Sequence, residues 1–346
     1  MLSKLIRLRW PIPVLVLVVA AAIVAGAVAS SGSSDDGRTL VVYNGRSQYG
    51  DETVFDDFTE ATGIAIEFRD GSGPDLFERL RREGDDTPAD VLVTTDAANL
   101  WRAKDAGLLE PVTSDVLTAN IPEDLRDPDG YWWGISTRMR VPMVATDVID
   151  PADVTSYEDL GDPRYEGRLC LRSSSNEYNI SLVADMLAKR GADATRALLE
   201  SWMANTPTIV NSDDELLVAM AAGDCDIGLT NHYYLGRKLK DDPTFPVAPA
   251  WPDQDGAGAH TNLSGVGVVA GTDMADEARQ LVEYLTGVEA EELLVEQNSE
   301  FSANPEVDPP AWIADWADVV QDPIVPDEAG PLLDDATDLM LDVGWR

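Results

Sequence analysis

The chain has 346 residues, enough for two domains with a substantial core in each. Its 63 acidic against 25 basic residues give a formal net charge of −38, which repels nucleic acid and anionic lipid and argues against both as partners. The acid is spread along the whole chain rather than held in a tail, the pattern of a solvated surface suited to high salt or high solubility.

Lys4, Arg7 and Arg9 precede the apolar run Val14 to Ala29, and the polar stretch Ser30-Ser31-Gly32-Ser33-Ser34-Asp35-Asp36-Gly37 follows it. Residues 1–38 therefore read as a signal peptide or N-terminal membrane anchor plus a flexible tether. The run is shorter than the ~20 residues of a spanning helix, and Ala27-Val28-Ala29 fits a cleavage site, so cleavage is favoured over an uncleaved anchor. No Cys lies near the run, which excludes a lipid anchor through an N-terminal cysteine. Either outcome places the folded body outside the cytoplasm, in the periplasm or on the outer cell surface.

From Thr39 strand and helix alternate. Leu40-Val41-Val42-Tyr43 is a buried strand, and its following loop holds Asn44-Gly45-Arg46-Ser47-Gln48-Tyr49. Val54, Phe55, Phe58 and Ala61 share one helix face that stops at Gly63, Ile64 to Phe68 is the next strand, and Leu76, Phe77 and Leu80 mark a second helix. Ala89 to Val93 is a strand running into Thr94-Thr95-Asp96. Repeated βαβ units mean a parallel or mixed sheet with helices on both faces. In Thr137-Arg138-Met139-Arg140-Val141 alternate arginines share a strand face and aim two guanidinium groups at one spot, a fork for carbonate, phosphate or a carboxylate; the alternative is a surface ion pair.

A second set of elements follows residue 138. It comprises a strand around Leu169 that ends in Arg172-Ser173-Ser174-Ser175-Asn176, helices over Glu177–Arg190 and Ala194–Met203, the segment Asp213–Ala222, and a strand ending at Thr230. Ser173 to Asn176 either cap the next helix or offer its free N–H groups to an anion. The two cysteines, Cys170 and Cys225, sit in short apolar strand-like runs of an exported chain, so a disulfide is expected. Gly265 to Ala270 is a further strand, followed by helical spacing at Met274, Ala278, Leu281, Val282 and Leu285. The architecture expected is two α/β lobes around a cleft. Residues 39–137 and 265–314 form lobe 1, and residues 138–264 and 315–346 form lobe 2.

The four loops named lie at strand carboxyl ends, where open α/β sheets bind ligands. The fourth carries Tyr233 and Tyr234 after Asn231 and His232. Consecutive side chains in extended backbone point opposite ways, so the pair converges only where the strand has ended. Free tyrosine titrates near pH ~10, and at neutral pH only a strongly charged Lewis acid such as Fe(III) would deprotonate both. His232, which alternates away from Tyr233 in an extended strand, and His260, near the lobe crossing, lack zinc spacing and read as hydrogen-bonding residues. No Gly-x-Ser-x-Gly elbow, Gly-rich phosphate loop or His-Glu-x-x-His occurs.

These residues resemble the ferric-iron-binding proteins of ABC importers, class II periplasmic-type solute-binding proteins, from about Thr39 to Arg346. The resemblance is carried by Val42-Tyr43-Asn44-Gly45-Arg46, Phe58 to Ile64, Thr87-Pro88-Ala89-Asp90-Val91-Leu92, Arg172 to Asn179, Asn231-His232-Tyr233-Tyr234-Leu235-Gly236-Arg237 and Leu263 to Val268. It implies Tyr233 and Tyr234 as iron ligands. The family's first-loop His position is Ser47 here, with Tyr49 two residues on as a substitute. A Glu that some members use corresponds to Thr95 followed by Asp96, and a Tyr that others place after the Arg-x-Arg segment is Val144.

The resemblance also implies a synergistic anion such as carbonate in some members, for which Arg46, Arg138, Arg140, Ser47 and Ser173 form the clamp. The reading is a monomeric, non-enzymatic carrier that binds Fe(III) as cargo through Tyr233, Tyr234, Tyr49 and Asp96 and delivers it to an ABC permease and its ATPase, touching the membrane itself only through an uncleaved anchor. The rivals are the same fold holding phosphate or a carboxylate, and an exported hydrolase.

Overall fold

The computed structural model describes residues 37–346. The leader and anchor reading of residues 1–36 falls outside the described residues. Among those described, no helix is long and apolar enough to cross a membrane.

The first elements alternate as the hydrophobic pattern requires: β1 (Thr39–Asn44), α1 (Glu52–Thr62), β2 (Ala65–Asp70), α2 (Gly73–Glu83), β3 (Val91–Thr94), α3 (Ala97–Asp105), β4 (Leu109–Glu110) and α4 (Asp115–Asn120). The long strand β5 (Trp133–Ala145) follows. Then come β6 (Leu169–Arg172), α5 (Glu177–Arg190), α6 (Ala192–Ala204), β7 (Thr208–Val210), α7 (Asp213–Ala221), β8 (Ile227–Asn231), α8 (His232–Asp241) and β9 (Val247–Pro249). The second long strand, β10 (Ala259–Val269), precedes α9 (Ala275–Leu285), α10 (Val288–Asn298), β11 (Gln321–Asp322), α11 (Pro326–Ala329) and α12 (Leu333–Asp342).

The strands are ordered β2-β1-β3-β10-β5-β8-β6-β7, with β4 and β11 on β10 and β9 on β5. The pairs β1–β2, β1–β3, β6–β7 and β6–β8 are parallel, and β10 is antiparallel to both β3 and β5. The fold is thus the expected mixed α/β type with two lobes. Each half has its own core. Leu40, Val42, Val91 and Val93 pack with Phe55, Phe58 and Leu281 in one, and Leu169, Leu171, Ile227 and Leu229 pack with Leu182, Val183 and Trp202 in the other. All four residues of β3 are buried, as expected for a strand covered by helices on both faces.

Local chemistry sets the ends of the elements that carry the site. Gly63 closes α1 with φ 72°, a left-handed cap that costs glycine nothing. Asn176 caps α5 by accepting the Tyr178 N–H at 3.2 Å, and Lys189 and Arg190 complement the helix dipole at its other end. β10 begins six residues earlier than the apolar run Gly265–Ala270 indicates, because its polar stretch Ala259–Ser264 is buried against β5.

The expected disulfide is present between Cys170 of β6 and Cys225 just before β8, with Cα atoms 5.9 Å apart. It closes a loop with a sequence separation of 55 residues. Chain-entropy arithmetic for that length gives about 4 kcal/mol of stabilisation. Urea unfolding with and without reductant should therefore show a clearly lower midpoint for the reduced protein; coincident midpoints would mean the bridge adds nothing.

Candidate functional site

Four tyrosines meet at the carboxyl ends of β1, β6 and β8. Tyr49 lies in the turn after β1, Tyr178 in the first turn of α5, and Tyr233 and Tyr234 in the first turn of α8. The Tyr49 hydroxyl is 2.9 Å from that of Tyr233 and 3.0 Å from that of Tyr178, and Gln48 Nε2 donates to Tyr178 at 3.0 Å. Asn231 Nδ2 reaches the Tyr233 oxygen at 3.4 Å, and the rings of Tyr233 and Tyr234 lie 4.4 Å apart.

As expected, the strand has ended before the pair: β8 stops at Asn231. His232, expected to alternate away in an extended strand, is instead helical together with Tyr233 and Tyr234. Successive helical residues diverge by about 100° rather than 180°, which lets both rings face the same cleft. Gly236 makes this placement possible. A Cβ there would stand 2.8 Å from Ser299 Cβ, so only glycine lets α8 sit this close to the segment after α10.

Tyr178 was not singled out in the sequence, although it lies just past the flagged loop Ser173–Asn176. The usable signal was its position two residues beyond a helix cap at a strand end. Its phenol is pushed up to about 12, first by burial and then by neighbouring Glu177. Burial also raises Tyr49 and Tyr233 well above the ordinary tyrosine range and raises Tyr234 to a smaller extent. The unliganded cluster is therefore four neutral phenols, and an ionised one requires a cation in their midst.

Four guanidinium groups surround the rings. Arg46 Cζ lies 4.2 Å from the Tyr49 centroid, Arg138 Cζ 5.0 Å from Tyr178, and Arg237 Cζ 4.9 Å from Tyr233, 5.4 Å from Tyr49 and 5.6 Å from Tyr234. Arg172 Cζ is 6.0 Å from Tyr178. Their electrostatic roles differ. Arg46 donates to Asp51 at 2.6 Å and to Glu300 at 2.9 Å, and also to Ser136 and Ser264. Arg140 and Arg172 share the buried Asp213 at 2.9 and 2.5 Å, and Arg140 also binds Asn179, Asn231 and the Leu229 carbonyl. Despite its burial, the two arginines hold Asp213 below the usual carboxylate range.

Arg138 is different. Its Nη1 reaches Ser264 at 3.3 Å, while its buried Nη2 has no partner among the described residues. Arg138 and Arg140 line one small cavity, together with Tyr178, Asn231, His260 and Asn262. The expected fork is thus present as a placement, but Arg140 is committed to Asp213 and Arg46 to its two carboxylates. Arg138 alone of the three keeps an open donor.

Asp96 is engaged elsewhere. It caps α3 by accepting the Asn99 N–H at 3.0 Å, and its other oxygen accepts from Asn262 at 2.9 Å and from Ser181. Ser47 is exposed, and Ser173 pairs with Ser175 at 3.0 Å. Glu177, bonded to Thr95 at 3.0 Å, is raised to about 7 by burial and then by Asp96. Among the described residues no group of three or more His, Cys, Asp and Glu is placed to hold a metal. Phenols are the hard-donor set this cleft offers.

His260 sits beside Asp185, 3.3 Å from Nδ1, on β10 near the crossing of the two halves. His232 accepts the Met139 N–H at 3.0 Å and stacks on Phe301 at 4.9 Å. Burial, aided by the Arg138 charge, lowers His232 from 6.5 to about 3. The unfolded chain therefore binds a proton between these pH values that the folded chain refuses. The contribution is complete above pH 6.5 and is lost as pH falls toward 3. Relative to H232Q, wild-type stability should drop by about 1.4 kcal/mol per pH unit in that window. Parallel pH profiles of the urea midpoint for the two proteins would contradict this.

A family model described as bacterial extracellular solute-binding protein matches residues 53–321. The chain is 36% identical over 316 residues to Iron uptake protein A1 of Synechocystis, covering 89% of this chain and 88% of that one. It is 28% identical over 275 residues to the Fe(3+)-binding periplasmic protein of Serratia marcescens, covering 78% and 80%. Among solved structures, the Trichodesmium IdiA/FutA protein in complex with iron and citrate aligns with a TM-score of 0.81 at 35% identity, over 89% of this chain and 100% of that one. The ferric binding protein from Campylobacter jejuni aligns with a TM-score of 0.83 at 28% identity, over 89% and 100%.

Proposed function

The chain belongs to the bacterial extracellular solute-binding protein family, and from that premise we propose that it captures Fe(III) outside the cytoplasm and delivers it to the permease and ATPase of an ABC importer. The observation that carries this reading is the convergence of the Tyr49, Tyr178 and Tyr233 hydroxyls within 3.0 Å, with Tyr234 packed on Tyr233. Relatives named for iron uptake and Fe(3+) binding support it. The four phenols are the ligands we assign. Asp96 holds α3 and Asn262 instead, and in our reading it supports the cleft wall without contacting the cargo.

Charge arithmetic follows from the donor set. Fe(III) with four phenolates carries one negative charge, and Arg138 and Arg237, which lack carboxylate partners among the described residues, supply the compensating field. Carbonate would neutralise a positive charge that the third phenolate has already removed. If an anion joins the shell, Arg138 is its clamp, because Arg46 and Arg140 are taken. Binding displaces phenol protons, so affinity falls as pH falls, and acidification or reduction to Fe(II) favours release. No bond in the cargo is broken, so the role is carriage rather than catalysis.

Closure brings Tyr49, from residues 39–137 and 265–314, onto the three tyrosines of residues 138–264 and 315–346. The cargo favours the closed state by its differential affinity for it. The passage of β5 and β10 through both halves supports a hinge there.

The test is a visible-absorption titration of the mature protein, as a monomer, with Fe(III) in the presence and absence of bicarbonate. A tyrosinate-to-iron band that saturates at one equivalent, independent of bicarbonate, is expected. A second reading, a small anion such as phosphate on Arg138, rests on its open Nη2. It predicts a colourless protein with iron and thermal stabilisation by phosphate.

A further inference from the structure

Arg237 lies over three of the four tyrosine rings, yet in a chain with 63 acidic residues its side chain is held by a neutral group. Its Nη2 donates to Asn298 Oδ1 at 2.9 Å and its Nε to the Asn298 carbonyl at 3.3 Å. Asn298 is the last residue of α10 and is 1% exposed. Its Nδ2 donates to Asp51 Oδ1 at 2.6 Å and to the Leu294 carbonyl at 3.1 Å. The other Asp51 oxygen holds Arg46 Nε, and Arg46 lies on Tyr49.

We infer that Asn298 is a positioning residue of the tyrosine site, holding Arg237 over Tyr49, Tyr233 and Tyr234 without neutralising it and tying it through Asp51 to Arg46. The inference rests on the ferric reading above. The amide suits both ends: its N–H₂ must face a carboxylate and its oxygen a guanidinium, which fixes its orientation. An aspartate there would set two carboxylates against each other and neutralise Arg237. An alanine would release both contacts. Since a guanidinium near the rings favours phenolate over phenol, the identity of its partner sets how much of that field reaches the ligands. The chain of charges reached through Asn298 runs from Asp51 to Arg46 and from Arg46 to Glu300.

The test is a double-mutant cycle on the full mature protein with N298A, R237A and the pair, plus N298D. Fe(III) affinity is read by citrate competition, and the position of the tyrosinate-to-iron band and the melting of the iron-free protein are recorded for each. N298A should weaken iron binding about tenfold and shift the band, and the pair should be no weaker than R237A alone. N298D should lose at least as much as N298A even though Arg237 keeps an acceptor. Affinity losses that multiply in the pair, or a variant that melts lower while its band and affinity match wild type, would make Asn298 a structural residue only and overturn the inference. Failure of N298A to fold leaves N298D and R237A to decide: near-wild-type affinity in both overturns it. A wild-type protein without the band overturns the ferric reading and this inference with it, whereas a wild-type band beside unaffected variants overturns this inference alone.

Discussion

The protein carrying Y233F and Y234F should bind Fe(III) far more weakly than wild type and show no tyrosinate band, while folding normally. Phenylalanine keeps both rings, and these do the packing: Tyr233 is buried at 1% exposure and its ring lies against Tyr234 and Tyr49. What is lost is two of the four oxygens, including the partner of the Tyr49 hydroxyl. Altering groups behind a metal's direct ligands costs roughly 10–100-fold in affinity, so removing two direct donors should exceed that range. Citrate competition measures the loss, and thermal melting of the iron-free protein separates it from misfolding. Retention of wild-type affinity with a normal melt would exclude this pair from the site. Y178F should also weaken binding, since its oxygen meets that of Tyr49 at 3.0 Å.

R46M is expected to have the largest effect on stability. Arg46 is 2% exposed and is the charged partner of both Asp51 and Glu300, themselves 5% and 0% exposed. Methionine fills similar space but strands two buried carboxylates. Breaking a buried pair from one side typically costs about 3–5 kcal/mol, and here two acids lose their counter-charge. Urea unfolding at pH 7 should show the loss, and adding D51N and E300Q to R46M should recover much of it, because the penalty lies in the stranded charge. A loss of less than about 1 kcal/mol, in the range of surface ion pairs, would mean that Ser136, Ser264 and solvent satisfy these acids. Tyr49 should suffer as well, since the guanidinium lies on its ring.

The helices and parallel strands were legible because their apolar periods are strong. The helix over Glu177–Arg190 was placed at the residues where α5 occurs, and the turn at Gly63 follows from its cap. The rule that ligands gather past strand ends pointed to Tyr49, Tyr233 and Tyr234, which the structure brings into one cluster. It stopped short of Tyr178, because that residue is already inside a helix and reads as part of its apolar face. The helical state of Tyr233 and Tyr234 was hidden as well, since Asn231 offers no side-chain cap and β8 runs straight into α8.

The charges were the least legible part. Arg46 and Glu300 are separated by 254 positions, and Arg140 meets Asp213 from a different element. A linear reading counts such arginines as free to clamp an anion. Only the fold reveals that carboxylates already hold them, and that Arg138 does not share their condition. Asp96 shows the same effect: a carboxylate after a strand looks available in the sequence, and the fold gives it a helix-capping bond and contacts with Asn262 and Ser181.

The disulfide has a consequence for the order in which the cargo meets its donors. β6 and β8 are adjacent parallel strands, with Cys170 opposite Gly228, and the bond joins them near their roots, below the loops that carry Tyr178 and the Tyr233–Tyr234 pair. On the proposed reading three of the four phenols belong to one cross-linked jaw whose internal spacing survives a swing of the proposed hinge, while Tyr49 rides on the opposite one. On the proposed reading an arriving ion lands on a preassembled three-oxygen platform, and Tyr49 reaches it last, so capture proceeds as a fast encounter followed by a slower latching step.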